Sequence, residues 1–220
     1  MIQKPISHTD LAKYKCMFFD FDGVVLESGN IKTDAFVELY AGTGFEEQVK
    51  AHHLAHQGVA RYEKFKWISE NLLNQEHTQE MGEELGKRFS ELVKAKVLSA
   101  PFVPGFREMI TFIRQQNIYC VVASGTPQEE LRGIVIDRKL SPFFDEVYGS
   151  PRKKAEIALE VIDRKGVKPK DCLFFGDAST DHQAAEQTNI DFFARLTPEL
   201  SDYWEKVTYK YGASDFSQVQ

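Results

Sequence analysis

Apolar residues gather in five short segments along the chain, and between these segments they recur at the three-to-four-residue spacing of helices. Each segment has the length and composition of a strand that is buried on both faces. The predicted strands are Cys16–Asp20, Ile118–Ala123, Phe144–Tyr148, Cys172–Gly176 and Ile190–Ala194.

The last four of these strands alternate with helical segments. Such alternation requires right-handed crossover connections and places helices on both faces of a parallel sheet. The sequence therefore predicts an α/β fold with a Rossmann-like parallel sheet at its core. The predicted helices are about Gly105–Gln116, Pro127–Lys139, Lys154–Gly166 and Thr180–Thr188.

The stretch 29–100 interrupts this alternation. Its apolar residues follow a helical period throughout, and it contains no strand pattern. Turn-forming residues precede it at 28–30, and the proline-rich segment 100–105 follows it. We therefore predict an α/β core domain made of residues 1–28 and 101–220, with an inserted all-helical cap domain at 29–100.

Composition and charge narrow the functional classes. The 220 residues are 42% apolar and 27% charged, which is ordinary for a globular protein, and the net charge is −6. A negative balance argues against nucleic acid or an anionic membrane as the main partner. The sequence indicates no obligate protein partner, and it contains neither an apolar run of about 18 residues nor an N-terminal signal core. Three scattered cysteines, which we expect to be reduced, complete a pattern typical of a cytoplasmic protein.

Polar residues follow the first two strands. Asp20 and Asp22 stand two apart at the first strand end, and Gly23 allows a sharp turn behind them. An Asp-Gly turn is also a common structural feature. Ser124, Gly125 and Thr126 end the second strand, where Thr126 is predicted to cap a helix that begins at Pro127, with Glu129 completing a capping box. That segment is either a helix start alone or an anion site at a helix N-terminus.

Further charged residues follow the later strands. Asp177 and Asp181 flank the start of a helix after the fourth strand. Four carboxylates gathered at one sheet edge would repel one another without a cation, and Mg²⁺ is the hard divalent ion that suits carboxylate and phosphate oxygens. Lys153 and Lys154 follow the third strand, where a lysine can reach a phosphoryl oxygen.

The order of these motifs resembles the haloacid dehalogenase-like superfamily, in the helical-cap branch that includes phosphoglycolate phosphatase and β-phosphoglucomutase. The resemblance implies that Asp20 is the nucleophile and forms an aspartyl-phosphate. It implies that Asp22 is the general acid and base, with its backbone carbonyl on the metal. The remaining Mg²⁺ ligands implied are Asp20 and Asp177, with Asp181 a ligand or a neighbour of the ligands.

The resemblance also assigns the phosphate contacts. Ser124 would hold the phosphoryl group together with a lysine, for which the spacing favours Lys154 and leaves Lys153 as the alternative. Gly125 and Thr126 would contribute to the same binding loop. Because the dehalogenases lack the second acid, its presence here implies phosphate-ester chemistry.

The cap segment contains a further motif. The loop Gly58–Arg61 resembles a Gly-x-Ser-Arg loop whose arginine contacts the distal part of a sugar phosphate, although it can equally be a turn with an exposed Arg61. The serine of that loop is Ala60 here, and Lys32 stands where the mutases have a histidine. His52 and His56 lie one helical turn apart with no third metal ligand in sight, so we expect them to line the cap side of the cleft, with His53 facing elsewhere.

The predicted function is that of a Mg²⁺-dependent phosphatase that hydrolyses a small phosphorylated metabolite through an aspartyl-phosphate. The departures at Ala60 and Lys32 favour hydrolysis over the alternative of a phosphomutase. A catalytically idle phosphate-binding protein is a third reading.

Overall fold

A computed structural model describes residues 4–219 of the chain. Its described strands form one six-stranded sheet in the order β3-β2-β1-β4-β5-β6, and every neighbouring pair is parallel. The first strand therefore lies at the centre, and the connections run away from it in both directions. This confirms the predicted α/β fold. The strands are β1 (Cys16–Phe19), β2 (Tyr119–Pro127), β3 (Glu146–Ser150), β4 (Cys172–Gly176), β5 (Asp191–Arg195) and β6 (Tyr211–Ala213).

Helices cover the sheet on both faces and fill the long segment between β1 and β2. Side chains alternate in direction along a strand, so neighbouring residues of β1 enter different cores. Met17 and Phe19 pack in one hydrophobic cluster, and Cys16 and Phe18 in the other. The helices are α1 (His8–Leu11), α2 (Gly29–Leu39), α3 (Glu46–Ala55), α4 (Arg61–Asn71), α5 (Gln79–Ser99), α6 (Phe106–Gln115), α7 (Gln128–Asp137), α8 (Lys154–Lys165), α9 (Ser179–Thr188) and α10 (Ser201–Trp204).

The segment that interrupts the alternation is helical, as predicted. Helices α2 to α5 occupy it, and no strand lies between residues 29 and 99. The rings of Phe36, Phe65 and Phe89 pack together at its centre, with centroid separations from 4.7 to 6.0 Å. The two chain crossings between this segment and the sheet run side by side, because Leu26 and Phe102 form an antiparallel bridge. The division into a core and a cap domain stays a prediction.

Two local predictions were wrong. The second strand does not end at Ala123 but continues through Pro127, so α7 begins at Gln128 and Thr126 is not its cap. The short strand β6 was missed because it has three residues and no apolar run. It pairs with β5 and also forms an antiparallel bridge with Lys4 through Gly212. Local pattern carries no information about such pairing.

Two further expectations concern the cysteines and the membrane. Cys16, Cys120 and Cys172 are buried and unpaired, as predicted. None of the helices formed by residues 4–219 combines the length and the apolar character that crossing a bilayer requires.

The segment after β6 closes the core with one aromatic side chain. Phe216 is 1% exposed, and its ring contacts those of Phe106, Phe175 and Phe193. Phe216→Ala should therefore lower the free energy of unfolding by about 3–5 kcal/mol, because it opens a cavity in the core. Chemical denaturation measures the change. Ile136→Ala is the control, since Ile136 is 65% exposed and its truncation should change stability by less than about 0.5 kcal/mol. Equal effects of the two substitutions would show that the C-terminal segment does not complete the core.

Candidate active site

The polar residues singled out in the sequence meet at one edge of the sheet. Parallel strands end at the same edge, and ligands bind there in open α/β sheets. Asp20 directly follows β1, Asp177 directly follows β4, and Ser124 to Thr126 form the last part of β2. Because β1 lies between β2 and β4, these side chains become neighbours.

Asp20 is held firmly at the centre of this edge. Its backbone N–H donates to the carbonyl of Phe175 at 2.9 Å, and its Oδ1 accepts from the backbone N–H of Phe21 at 2.7 Å. Burial raises the pKa of Asp20 to about 7; the carboxylates of Asp181 and Asp22 add to the rise, and Lys154 opposes it. The hydrogen bond from Phe21 fixes Oδ1, and Lys154 contacts Oδ2, so both carboxylate oxygens are held in direction at the sheet edge.

Lys154 is the cation of the site. It begins α8, is 7% exposed, and donates to Asp181 and, at 3.0 Å, to Oδ2 of Asp20. Burial disfavours its charge, but the two carboxylates outweigh burial and raise its pKa. Lys153 precedes the helix and is exposed. Of the two lysines that the sequence left open, Lys154 is the one that contacts Asp20.

Three carboxylates form a candidate metal centre. Oxygen atoms of Asp20, Asp177 and Asp181 lie within 4.8 Å of one another, and all three residues are buried. Within residues 4–219 no hydrogen bond or ion pair reaches the carboxylate of Asp177, whose pKa is raised by burial and by the other two carboxylates. A buried, unpartnered carboxylate beside two others is a donor set that fits Mg²⁺. The carboxylate of Asp22 is not part of this group.

The turn after β1 brings Asp177 close. Gly23 has a φ of +80°, and a Cβ at this position would lie 2.0 Å from Oδ2 of Asp177. Only glycine allows both the turn and the approach.

Asp22 lies in a separate polar network. Its carboxylate accepts hydrogen bonds from Lys32, from Ser28 at 2.6 Å and from Thr126 at 2.9 Å. Burial opposes ionisation, but Lys32 and the hydroxyl donors outweigh burial and hold the pKa of Asp22 below its usual value. The sequence pointed to Lys32 only as a departure from the mutases. The structure makes it the ion-pair partner of Asp22.

The end of β2 supplies hydroxyls to the same network. The Thr126 hydroxyl accepts from Lys32 at 2.7 Å, and the Thr126 N–H donates to Ser124 Oγ at 3.1 Å. The capping role predicted for Thr126 is wrong because Asp22 takes up its side chain. Ser124, Gly125 and Thr126 all line the cleft above Asp20.

Arg61 lies on the cleft wall but is already paired. It is 5% exposed, and it donates to Glu130 of α7 at 2.7 Å and to Ser90 of α5 at 2.8 Å. Its guanidinium also lies 4.6 Å from the centroid of the Phe89 ring. It is thus not the exposed arginine of a simple turn. Its contact with the distal part of a substrate stays a prediction.

Sequence reasoning missed Lys64 as a cleft residue, and the expectation that His53 faces elsewhere was wrong. Both are buried, both line the cleft, and Lys64 Nζ lies 3.2 Å from Nδ1 of His53. The expectation for the other histidines was wrong: His52 stacks on Trp67 with ring centroids 3.8 Å apart, and neither it nor His56 lines the cleft. The sequence did contain a signal for Lys64, because it lies one helical turn after Arg61, which was itself predicted to contact the substrate.

The helical segment closes over the sheet edge. A Cβ on Gly125 would lie 2.8 Å from the carbonyl oxygen of Gly58, and Thr180 donates to the carbonyl of Gln57 at 3.1 Å. A cavity of about 70 Å³ lies between the helical segment and the sheet edge, and a second cavity of about 430 Å³ adjoins it at Gly58, Val59, Ser124 and Gly125.

The chain is similar to known proteins in sequence and in fold. A family model described as haloacid dehalogenase-like hydrolase matches residues 14–189. A phosphorylated carbohydrates phosphatase of Thermotoga maritima is 26% identical over 197 residues, or 86% of this chain and 88% of that protein. A phosphoglycolate phosphatase of Pseudomonas putida is 29% identical over 92 residues, or 40% of this chain and 34% of that protein. The structure of a β-phosphoglucomutase from Clostridium difficile matches with a TM-score of 0.70 at 19% identity, over 94% of this chain and 93% of that chain, a likeness of fold alone.

The raised pKa values of the carboxylates predict how pH affects metal binding. Without metal, folded Asp20 keeps a proton that the unfolded chain has lost, so between about pH 4 and pH 7 it makes the fold less stable as pH rises, and the raised pKa of Asp177 acts in the same direction. A cation must displace these protons. Magnesium should therefore raise the melting temperature more at about pH 8 than at about pH 5.5, compared with EDTA at each pH.

The comparison with EDTA at each pH removes the contributions of groups that the metal does not affect. Asp177→Asn should abolish most of the magnesium increment, while Asp163→Asn, which changes an exposed residue of α8, should retain it. An increment that does not depend on pH would contradict the assignment of the three carboxylates as ligands.

Proposed function

Because the chain belongs to the haloacid dehalogenase-like hydrolase family, we propose that it is a Mg²⁺-dependent phosphatase of a small phosphorylated metabolite, with Asp20 as the nucleophile. The family membership confirms the resemblance drawn from the strand-end motifs. The relative named as a phosphorylated carbohydrates phosphatase supports a phosphate monoester as the substrate. The free cysteines support a reducing compartment, and we place the protein in the cytoplasm.

The observation that carries this proposal is the contrast between two carboxylates two residues apart. Asp20 belongs to a cluster with Lys154 and two further carboxylates, where a nucleophile and a cation are expected. Asp22 points into a network of hydroxyls and Lys32, away from that cluster. A phosphatase needs one carboxylate at phosphorus and another at the leaving oxygen, and this pair offers both.

The reaction follows in two steps. A carboxylate oxygen of Asp20 attacks phosphorus, the P–O bond to the alcohol breaks, and Asp22 gives its proton to the departing alkoxide. Asp22 then takes a proton from water as the water oxygen attacks phosphorus, which releases inorganic phosphate and restores the Asp20 carboxylate. The free protein holds Asp22 ionised, the form needed in the second step. The negative phosphate of an arriving substrate raises the pKa of Asp22 and favours the acid form needed in the first.

Other residues hold the phosphoryl group. Ser124 and Lys154 would donate to its oxygens, and Gly125 and Thr126 would line the same loop. Mg²⁺ would be held by the carboxylates of Asp20, Asp177 and Asp181 and by the backbone carbonyl of Asp22. The bound ion supplies positive charge that offsets the charge of the phosphoryl oxygens. Residues 29–100 would act as the cap that excludes bulk water during the reaction.

Hydrolysis is the reaction that this site supports best. The fold shared with a β-phosphoglucomutase carries no information about reaction type at 19% identity. Lys32 stands at the histidine position of the mutases and forms an ion pair with Asp22, so the second acid here is coupled to an ammonium group instead of an imidazole.

The nucleophile assignment predicts the effect of Asp20→Asn. This variant should lose phosphatase activity on p-nitrophenyl phosphate by on the order of 10⁴-fold, because the amide cannot form the covalent intermediate. Phosphate release with Mg²⁺ present measures the loss, and circular dichroism checks the fold. Asp163→Asn should keep full activity, since this carboxylate is exposed on α8. Normal turnover by Asp20→Asn would refute the assignment.

The acid assignment predicts a dependence on the leaving group. Asp22→Asn should reduce kcat/KM for an alkyl phosphate by about 10²–10⁴-fold, because an alkoxide needs a proton to leave. The loss should be smaller for p-nitrophenyl phosphate, whose phenolate leaves unprotonated. Asp34→Asn serves as the control, since Asp34 is exposed on α2. Equal losses on both substrates would mean that Asp22 does not protonate the leaving oxygen.

A further inference from the structure

Lys64 differs from the other cations of the cleft in having no acidic partner. Lys154 pairs with Asp20 and Asp181, Lys32 with Asp22, and Arg61 with Glu130. Lys64 is 3% exposed, and no carboxylate of residues 4–219 lies within 4.0 Å of its ammonium. Its polar contact is with Nδ1 of His53, and its ammonium lies 5.3 Å from the centroid of the Phe36 ring.

Such a placement is energetically unfavourable in the free protein. Burial lowers the pKa of Lys64 to about 7, and the charges of Lys32 and Lys154 contribute. Burial and Lys64 lower the pKa of His53 to about 2, so the ring stays neutral and accepts a hydrogen bond, but a neutral imidazole is no counter-ion for the ammonium. Burying an ammonium without a counter-ion costs more folding free energy than burying an apolar side chain of similar shape. The buried charge therefore lowers the stability of the fold, and an arriving anion would offset this by supplying the counter-ion.

We propose that Lys64 binds a second anionic group of the substrate, a carboxylate or a second phosphate, while the first phosphate lies over Asp20. This inference rests on the proposed phosphatase function and adds the class of ester that the cleft selects. A neutral alcohol in this position would leave the Lys64 ammonium buried without a counter-ion.

The surroundings of Lys64 support this assignment. Phe36, Val59 and Phe89 line the same cavity and restrict water near the ammonium, which strengthens its attraction for an anion. The lining acids, Asp20, Asp22 and Asp177, are those of the proposed reaction centre. Lys64 lines the same cavity as Asp20 and Ser124, so one ligand can reach both the reaction centre and the Lys64 ammonium.

Matched ester pairs test the proposal. The first pair is 2-phosphoglycolate and 2-hydroxyethyl phosphate, which differ in a carboxylate. The second is 1,3-propanediol bisphosphate and 3-hydroxypropyl phosphate, which differ in a phosphate. The wild type should favour the doubly anionic member of at least one pair by about tenfold or more in kcat/KM, and the preferred pair identifies the anion.

Lys64→Met removes the charge and keeps the length of the side chain. It should lower that preference by about tenfold or more, and Lys64→Arg should retain most of it. Lys66→Met is the matched control, because Lys66 lies on the same helix with its side chain 63% exposed and should leave the preference unchanged. A wild type without preference, or a preference that survives in Lys64→Met, would overturn the proposal.

Two further measurements separate the possible failures. Calorimetric binding of the same ligands to Asp20→Asn, with and without Lys64→Met, reports the preference without turnover. Binding preference without hydrolysis by the wild type would refute the phosphatase and leave the anion site standing, whereas hydrolysis without preference would refute the anion site alone. Removing an unpaired buried charge should also raise the melting temperature by about 2–4 °C. A lower melting temperature would show that Lys64 stabilises the fold, and it would overturn the argument that the buried charge is destabilising.

Discussion

The site is organised around the mutual repulsion of three buried carboxylates. Asp20, Asp177 and Asp181 bring their oxygens within 4.8 Å of one another in a region that water hardly reaches. Lys154 neutralises part of this charge by bridging Asp20 and Asp181, and Asp177 is left without a partner among the described residues. Like charges in low dielectric disfavour each other strongly, so the cluster holds protons or recruits a cation. The start of α8, the end of β4 and the turn at Gly23 all serve to bring these groups together.

Asp20 and Asp22 stand two residues apart at the end of one strand, so their positions on the strand do not explain why their pKa values shift in opposite directions. Their environments make the difference. Asp20 belongs to an acidic cluster and has a raised pKa, whereas three donors surround the carboxylate of Asp22 and lower its pKa. Two carboxylates with opposed shifts are a common basis for dividing nucleophilic and acid–base work. The chain achieves this separation within three residues because β2 and α2 contribute Thr126 and Lys32 to only one of the two carboxylates.

The helical segment joins the sheet edge through polar contacts as well as through the two chain crossings. Arg61 connects α4 to Glu130 of α7, and Thr180 of α9 donates to a carbonyl of the Gln57–Gly58 turn. These contacts help to hold the segment closed over the cleft. Lys64 lies one turn further along the same helix and opposes that stabilisation, because its charge is buried without a counter-ion. A buried charge that faces a cavity without a counter-ion is the kind of feature in which stability is exchanged for function.

The sequence by itself determined the layered α/β fold, the helical insert and the chemical residues at the strand ends. Apolar periodicity reports burial locally, and parallel strands place whatever follows them at one edge, so Asp20, Ser124 and Asp177 could be brought together without coordinates. Tertiary structure alone decided which groups touch. Four contacts depend on how α2, α4 and α8 pack against the sheet. They are the contact of Lys154 rather than Lys153 with Asp20, the pairing of Lys32 with Asp22, the hydrogen bonds of Thr126 to that pair and the contact of buried Lys64 with His53. Those contacts join residues that are far apart in the chain, and local spacing cannot rank them. The three-residue strand β6 shows the same limit, because its pairing partners, β5 and Lys4, are distant in the chain and its own residues form no apolar run.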